Sequence, residues 1–493
     1  MLSEFIALSI PATVFVLFAM ALTLLGFFQY RLAARLSSQM RLVVVVCIIG
    51  AGTLLSIALT ERNLNETALT GSEVLLFEDY ASGFAASRWL TLLVLGASVV
   101  EIIRGGVNAM VRKVHDPAWP VLAAMLMFYG GTVVVQLFMS EHSAFTYKSL
   151  YLPVFFMAVF FQQPNDLKPI FLAAKLVMFT LMASSLIGIF AFPDFVLHQP
   201  EPGIIPGINW RLFGITGHAN ALGPIALLAV LLEVYSPFRA RWFRSAYFFS
   251  ALTVLLLAQS RTSWIAGALI LALVLTPVLV MPNPNAPLDM RRFNKAVWVY
   301  SACILILIAV ACSLLMTGLG EFILRRSELG TLNGRFQIWD ITMQAWRENP
   351  FFGYGEGVWG MERRAQLNMF HVGHAHNQFV QTLGESGVVG LVLLLTYLLT
   401  LLHVACARFA ASKGLILAVF LLMLSRCVTE APLRGEGVLS WATFLHILLI
   451  TAACHHLRTP PSRRALKTHS QRDRQVQTGA ARREAPCYFS SSI

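Results

Sequence analysis

Long apolar runs, separated by short polar connectors, recur along almost the whole chain. Many of them approach the roughly 20 residues that an α-helix needs to cross the hydrocarbon core of a membrane. The pattern predicts an all-α polytopic membrane protein with about 12 transmembrane helices, 12 or 13 by count of the runs. The candidate spans are residues 5–28, 42–60, 89–103, 119–139, 150–161, 170–192, 221–235, 246–258, 264–281, 297–315, 388–404, 415–424 and 438–453.

The charged connectors predict how the chain is oriented, because arginine and lysine concentrate in the cytoplasmic loops of membrane proteins. Four basic connectors are therefore expected in the cytoplasm: they carry Arg31, Arg35 and Arg41; Arg104, Arg112 and Lys113; Arg239, Arg241 and Arg244; and Arg291, Arg292 and Lys295. The segments between them, residues 61–88, 140–148, 193–220 and 318–375, are then expected on the outer side. Thirteen spans would place the N-terminus outside and twelve would place both termini inside, and the pattern leaves both counts open.

The chain divides into a membrane domain, residues 1–455, and a tail, residues 456–493. Within the membrane domain, the outer connectors 318–375 and 193–220 form a large loop and a second loop. The tail has no apolar periodicity, and from Arg458 onward it carries eight basic residues against Asp473 and Glu484. It is predicted to be a disordered cytoplasmic tail that contacts anionic lipid.

Composition agrees with this architecture and removes several classes of function. Hydrophobic residues make up 57% of the chain and charged residues only 13%, so a soluble domain would leave much apolar surface in water. The net charge of +12 lies largely in the basic connectors and the tail and indicates topology, with no nucleic-acid partner expected. Most of the seven cysteines fall in or beside apolar runs, which predicts neither disulfides nor a zinc framework.

The large loop is far longer than a connection between neighbouring helices requires. Phe336, Trp339, Met343 and Trp346 recur in it at spacings of three and four, which predicts an amphipathic helix lying along the membrane surface. Proline disfavours helical geometry in the residue before it, so the helix is expected to end at Asn349, ahead of Pro350 and a series of glycines.

The strongest motif stands where the large loop re-enters the membrane. It reads His376-Asn377, nine residues, Gly387, two residues, Gly390, and it resembles the signature of bacterial O-antigen ligases, a family that also holds O-antigen polymerases and protein O-oligosaccharyltransferases. Three further segments are similar to the same family: Arg211 to Asn220, Gln259 to Trp264, and Gly334 to Gly355.

The resemblance implies a glycosyltransferase in the bacterial inner membrane that works on the periplasmic side without a cofactor. Its donor would be a glycan on undecaprenyl pyrophosphate, and its acceptor the lipid A core oligosaccharide. His376 is the expected general base, since imidazole can accept a proton near neutral pH. Arg211 and Arg261, at outward helix ends, are expected to hold the departing pyrophosphate. A direct displacement would invert the anomeric centre.

Each of these residues also has an ordinary structural interpretation. His376 could bond a loop carbonyl, and the two arginines could reach lipid phosphates. The candidate substrate-binding residues also have ordinary alternatives, from a solvated helix face to a helix cap: they are Arg335, Arg347, His374, Asn377 and His218. Gly387 and Gly390 would permit close helix packing.

The sequence also bears on whether a metal takes part and on which function the chain has. The outer loops hold no carboxylate cluster that would bind Mg²⁺, so chemistry without a metal is expected, with arginines in place of the cation. A polymerase of the same family is the first alternative, protein O-glycosylation the next. A transporter or lipid flippase fits the composition equally well but explains the large loop less well.

Overall fold

A computed structural model describes residues 36–59, 85–112, 116–143, 147–162, 164–198, 205, 208–216, 219–275, 329–369, 372–434 and 438–459. This part of the chain is mostly helical. Its main helices are α1 (Ser38–Leu59), α2 (Ala85–Arg112), α3 (Trp119–Phe138), α4 (Tyr151–Phe161), α5 (Lys168–Ala191), α6 (Ala219–Tyr235), α7 (Arg241–Leu257), α8 (Arg261–Ile270), α9 (Leu329–Glu348), α10 (Gln378–Ala407), α11 (Leu415–Thr429) and α12 (Trp441–Arg458).

Short elements connect these helices. One-turn helices cover Pro193–Val196, Met361–Gln366 and Phe409–Ser412, 3₁₀ turns cover Tyr147–Leu150 and Glu356–Trp359, and a π-helical turn, Leu271–Leu275, follows α8. Two strands, β1 (Leu197–His198) and β2 (Arg211–Leu212), pair antiparallel. The prediction of a helical protein is therefore confirmed, with this small ribbon as the one sheet in the described residues.

The apolar helices agree with a multi-pass membrane protein. Leu90–Ala109, Trp119–Phe138, Lys168–Ala191 and Gln378–Ala407 are long and apolar enough to cross a membrane, and five further apolar helices are shorter. The predicted spans 5–28 and 297–315 and nearly all of the basic tail lie outside the described residues. The expected number of spans stays a prediction.

Local sequence signals explain where several helices begin. Pro120 and Pro169 occupy the first turns of α3 and α5, where a missing N–H is harmless. Ser440 caps α12, its hydroxyl accepting a hydrogen bond from the Thr443 N–H at 3.1 Å. Lys413 and Gly414 adopt left-handed conformations between α10 and α11, which reverses the chain.

Helix α10 packs against α3, α9, α11 and α12. Tyr397 and Leu394 of α10 are fully buried, whereas Leu399 on its other side is 61% exposed. Exposed aliphatic side chains on such a helix are suited to contact with lipid tails. The helix begins ten residues before the predicted span 388–404, and the polar side chains of its first turns, such as Gln378 and Gln381, are buried in the protein.

The amphipathic helix of the large loop is α9, and it ends at Glu348, one residue before Asn349. Its buried face differs from the predicted one: Ile338, Thr342 and Ala345 are buried, whereas Phe336 is exposed. The reason is that α9 packs on α10 and on the 3₁₀ turn Glu356–Trp359, whose Trp359 donates a hydrogen bond to the Thr342 hydroxyl. The apolar stripe therefore serves protein packing at least in part, and contact with the membrane surface stays a prediction.

Connectors predicted to share one side of the membrane meet at one end of the bundle. The backbone N–H groups of Glu141 and His142 donate to the carbonyls of Gly353 (3.0 Å) and Tyr354 (2.9 Å), which joins the segment 140–148 to the large loop. The periplasmic assignment of this end stays a prediction.

Candidate active site

The expected catalytic histidine stands just before α10, next to the residue that caps this helix. Asn377 accepts hydrogen bonds through Oδ1 from the N–H groups of Phe379 (2.9 Å) and Val380 (3.1 Å) and donates through Nδ2 to the carbonyl of Val428 (3.1 Å). Such a cap satisfies donors that a helix start leaves open. The structure thus supports the capping interpretation of Asn377, the alternative to substrate contact.

The backbone at His376 is held in an uncommon conformation. Its φ of 48° lies in the left-handed region, which non-glycine residues adopt only when their surroundings fix it. Trp339 of α9 donates its indole N–H to the carbonyl of Ala375 (2.8 Å), and Arg434 donates Nη1 to the carbonyl of Gly373 (2.6 Å). The segment is therefore clamped from the large loop on one side and from the connector after α11 on the other.

A carboxylate gathers three of the predicted site residues. Glu430, in the connector between α11 and α12, lies 2.9 Å from Nδ1 of His376, 3.7 Å from Nε2 of His374 and 3.9 Å from Nη2 of Arg335. The rings of the two histidines are 4.2 Å apart, and Nδ1 of His374 accepts the backbone N–H of His376 at 3.0 Å. Separate parts of the large loop and a later connector thus form one cluster.

The charge of Glu430 decides which atom of His376 can act. Burial alone would raise the pKa of Glu430, but the hydrogen bond from His376 and the positive charge of Arg426 outweigh burial and lower this pKa to about 2. Glu430 is therefore ionised at neutral pH and can only accept. Nδ1 of His376 must carry the proton that bonds to it, which leaves Nε2 with the free lone pair that a general base requires.

The two expected pyrophosphate arginines meet at the junction between α7 and α8. Arg211, on β2, donates Nε to the carbonyl of Ala258 (3.4 Å), and Gln259 donates Nε2 to the carbonyl of Trp210 (2.9 Å). These bonds fix the second loop to the junction, three residues before Arg261 begins α8. Arg261 is exposed and Arg211 is half-buried.

The arginine junction adjoins the Glu430 cluster through the first turns of α6. Ser260 of the junction packs so closely on Gly223 that a Cβ at that glycine would lie 2.6 Å from the Ser260 Cβ. One turn earlier, the carbonyl of Asn220 accepts a hydrogen bond from Arg426, whose charge also acts on Glu430. His376, Arg211 and Arg261 therefore lie at the same end of α6 and α11.

Of the remaining predicted substrate contacts, one stands apart from this arrangement and the other is not among the described residues. Arg347 is exposed near the end of α9, twelve residues and so roughly 18 Å along the helix from Arg335. The structure brings Arg335 to the cluster and leaves Arg347 outside it. His218 lies outside the described residues.

The second half of the sequence motif has a backbone explanation. Gly387 interrupts α10 with φ 61° and ψ −161°, and a segment of the large loop docks into the break. The N–H of Tyr354 donates to the carbonyl of Gly384 (2.8 Å), and that of Val388 donates to the carbonyl of Pro350 (3.0 Å). The expectation that Gly387 serves close helix packing is therefore replaced: it allows a loop to bond directly to an interrupted helix.

A side chain at Gly387 should break this docking. A Cβ there would lie 2.3 Å from the Phe351 carbonyl oxygen, in a left-handed conformation, whereas Gly357 in the same loop has open space around its Cβ position. We expect Gly387→Ala to lower the free energy of unfolding by about 2 kcal/mol or more and Gly357→Ala to change it little. Thermal unfolding of the purified variants measures both, and equal midpoints would contradict the docking role.

Three charged residues of the site were missing from the sequence prediction. Glu430 and Arg426 are described above, and Arg434 pairs with the buried carboxylate of Glu385 at 2.9 Å. All three lie in the connector between the apolar runs 415–424 and 438–453. Their density in so short a connector, where two arginines accompany a glutamate, was the available signal.

The same cluster offers donor atoms that a divalent cation can use. His374, His376 and Glu430 each present one such atom, all within 4.8 Å of one another. Two histidines and a glutamate form a known zinc ligand set. The sequence predicts chemistry without a metal, and the close contact between His376 and Glu430 also fits a hydrogen-bonded pair. A metal site and a hydrogen-bonded pair are therefore two interpretations that a direct test must separate.

Comparison with known proteins identifies the region that carries this geometry. Residues 246–395 match the family model described as O-antigen ligase, a stretch that includes Arg261, Arg335 and the His376 motif. No curated protein matches the chain. The family comprises glycosyltransferase-like ligases and polymerases. The family match and the apolar helices together indicate a multi-pass membrane protein. The match confirms the resemblance found in the sequence, and it supports assigning this chain to the O-antigen ligase family.

Proposed function

We propose that the chain is an O-antigen ligase. It transfers a glycan from undecaprenyl pyrophosphate to the lipid A core oligosaccharide, on the periplasmic side of the bacterial inner membrane. The observation that supports this best is the pairing of His376 with an ionised Glu430 beside the arginine junction of Arg211 and Arg261. A base and an anion site next to each other are what a displacement at a glycosyl pyrophosphate requires.

In the proposed reaction, Nε2 of His376 takes the proton of an acceptor hydroxyl. The hydroxyl oxygen then forms a bond to the anomeric carbon of the donor sugar from the side opposite the leaving group. The bond from that carbon to the pyrophosphate oxygen breaks, and its electron pair leaves with the pyrophosphate. Arg211 and Arg261 stabilise the charge that accumulates there, while Glu430 stabilises the imidazolium that forms. One displacement inverts the anomeric centre.

The nature of the acceptor separates ligation from polymerisation. We expect a deletion strain to accumulate bare lipid A core on a lipopolysaccharide gel, and a plasmid copy to restore the full ladder. Core that bears a single repeat would instead identify a polymerase, which joins two lipid-linked glycans. Loss of protein glycosylation with an intact ladder would identify a protein O-oligosaccharyltransferase.

Removal of metal ions should leave the reaction unchanged. Arginines supply the positive charge at the leaving group in this proposal, and Glu430 serves His376 and not a cation. We expect overnight dialysis against EDTA to change the transfer rate by less than about twofold, since no Lewis acid takes part. A rate that falls after chelation and returns with added Zn²⁺ would show that His374, His376 and Glu430 bind a metal.

Arg335 and Arg347 form a natural matched pair on one helix. Arg335 lies 3.9 Å from Glu430 and can reach a substrate anion in the cluster, whereas Arg347 stands roughly 18 Å away along α9. We expect Arg335→Ala to lower kcat/KM about tenfold, the size of one charge-assisted hydrogen bond, and Arg347→Ala to lower it less than about twofold. Equal effects of the two substitutions would contradict this placement.

A further inference from the structure

A polar cavity of about 270 Å³ lies between the last turns of α3 and the first turns of α10. Lys148, Glu356 and Arg434, from three different connectors, complete its lining. Neither His376 nor Glu430 lines it, so the proposed reaction does not account for it. Its volume is close to the lower end of small-molecule sites, roughly 300 Å³. The cavity therefore has room for a ligand the size of a single sugar unit.

The first turns of α10 present a polar face to this cavity. Gln378, Thr382, Glu385 and Ser386 follow one another at spacings that place them on one side of the helix. All four are buried, whereas the helix is mostly apolar from Gly387 onward. Polar side chains buried between membrane helices are costly and often functional. Such a face indicates a polar ligand.

Two carboxylates in the lining have acceptor positions available for a ligand. Glu385 is only 7% exposed, and the bonds that it accepts from Gln381 (2.7 Å) and Arg434 (2.9 Å) both end on Oε1. In the part of the chain that the structure describes, Glu356 accepts only from the hydroxyl of Ser149, at 3.5 Å, which is longer than an ordinary O–H···O bond. A carboxylate can accept about four hydrogen bonds, so both can accept from hydroxyl groups of a ligand.

The rest of the lining suits a neutral sugar ring. The charged side chains are two acids, Glu356 and Glu385, and two bases, Lys148 and Arg434, so the lining has no excess charge that would favour an ion. Sugar hydroxyls both donate and accept hydrogen bonds, and the C–H face of the ring packs on aromatic side chains. Amide, hydroxyl and aromatic groups of this kind are supplied by Gln136, Gln378, Thr132, Ser386, Phe128 and Tyr129.

Arg434 joins the cavity to the segment that carries the proposed base. Its Nε bonds to Glu385 in the cavity, and its Nη1 donates to the carbonyl of Gly373, three residues before His376. Gln378, which lines the cavity, follows His376 by two residues. The cavity is therefore one side chain away from the segment of the base, within the reach of a neighbouring sugar on the same glycan.

We propose that this cavity binds one neutral sugar unit of a glycan substrate. The sugar hydroxyls bond to Glu356, Glu385 and the amide groups, and its C–H face contacts the aromatic rings. This inference rests on the proposed function and deepens it, because it names a subsite for a sugar that does not itself react. The acceptor and the donor glycans both offer such sugars, and a binding experiment separates them.

Saturation-transfer NMR on the purified full-length protein in detergent measures sugar binding without any reaction. The probes are the core oligosaccharide released from lipid A and the repeat-unit oligosaccharide released from the undecaprenyl donor. We expect at least one of them to receive saturation on a neutral ring, and binding of neither would overturn the proposal. Binding by a protein that fails to transfer glycan would support the cavity and refute the proposed reaction, so the two failures are distinguishable.

Variants locate the binding to the cavity. We expect Glu356→Gln to weaken sugar binding about tenfold, the size of one hydrogen bond to a charged group. Its matched control is Glu362→Gln, at an exposed glutamate of the same loop outside the cavity. Thr132→Phe fills the cavity and should abolish binding, whereas Thr180→Phe, at an exposed threonine of α5, should leave it unchanged.

The same variants identify the source of the sugar. Loss of core binding in the cavity variants assigns the subsite to the acceptor, and loss of repeat-unit binding assigns it to the donor. Unchanged binding of both probes in the two folded cavity variants, or an equal loss in the controls, would overturn the assignment.

Discussion

Replacing His376 by alanine is expected to lower the rate of glycan transfer by about 10³-fold or more, with the protein still folded. A positioned general base contributes on the order of 10² to 10⁴ in rate, and here it also defines where the acceptor hydroxyl sits. Transfer by the purified variant, measured against the unsubstituted protein with the same lipid-linked donor, gives the ratio directly.

The matched control for this substitution is on the same helix. His403 is an exposed histidine near the other end of α10, roughly 35 Å from the helix start. His403→Ala should transfer at nearly the normal rate. If His376→Ala also retains more than about a tenth of the rate, His376 is not the base, and the proton must go elsewhere in the cluster.

Replacing Glu430 by glutamine is the second large effect that we expect. The amide keeps the size of the side chain and can still accept from Nδ1 of His376, but it lacks the charge that stabilises the imidazolium. In serine proteases the corresponding aspartate-to-asparagine change costs about 10⁴ in kcat. For Glu430→Gln we expect kcat to fall by about 10² or more, with KM changed less than about threefold.

The split between kcat and KM distinguishes a positioning role from a structural one. A site that had merely lost its shape would bind both substrates poorly and raise KM. Glu348→Gln is the control, since Glu348 is a half-exposed glutamate of the large loop that lies 3.7 Å from Arg363 and far from the cluster. A Glu430→Gln variant with full kcat would show that the His376–Glu430 contact is incidental.

The helical architecture was predictable from local signals. Periodic apolar runs predicted the described membrane helices, and the Asn349-Pro350 pair predicted the end of α9 to within one residue, because these signals act over a few neighbouring residues. The capping alternative for Asn377 was accessible for the same reason. Which face of α9 is buried was not, because the choice depends on how the loop folds back onto α10.

The key partner of the site could not be predicted from the motif. Glu430 is 54 residues beyond His376, in a connector that carries no family-like motif, and only the packing of α11 beside α10 brings the two together. Gly387 gives the same lesson. Its spacing from the histidine indicated importance, but its reason, a loop bonded into an interrupted helix, depends on a segment more than 30 residues earlier in the chain.

The most direct test of glycan transfer uses the purified protein in liposomes that contain only a lipid-linked glycan donor and the lipid A core acceptor. We expect mass spectrometry to show the acceptor gaining the mass of the glycan, with one undecaprenyl pyrophosphate released for each glycan transferred. An unmodified acceptor, together with donor that moves between the two leaflets, would contradict transfer and identify a flippase instead.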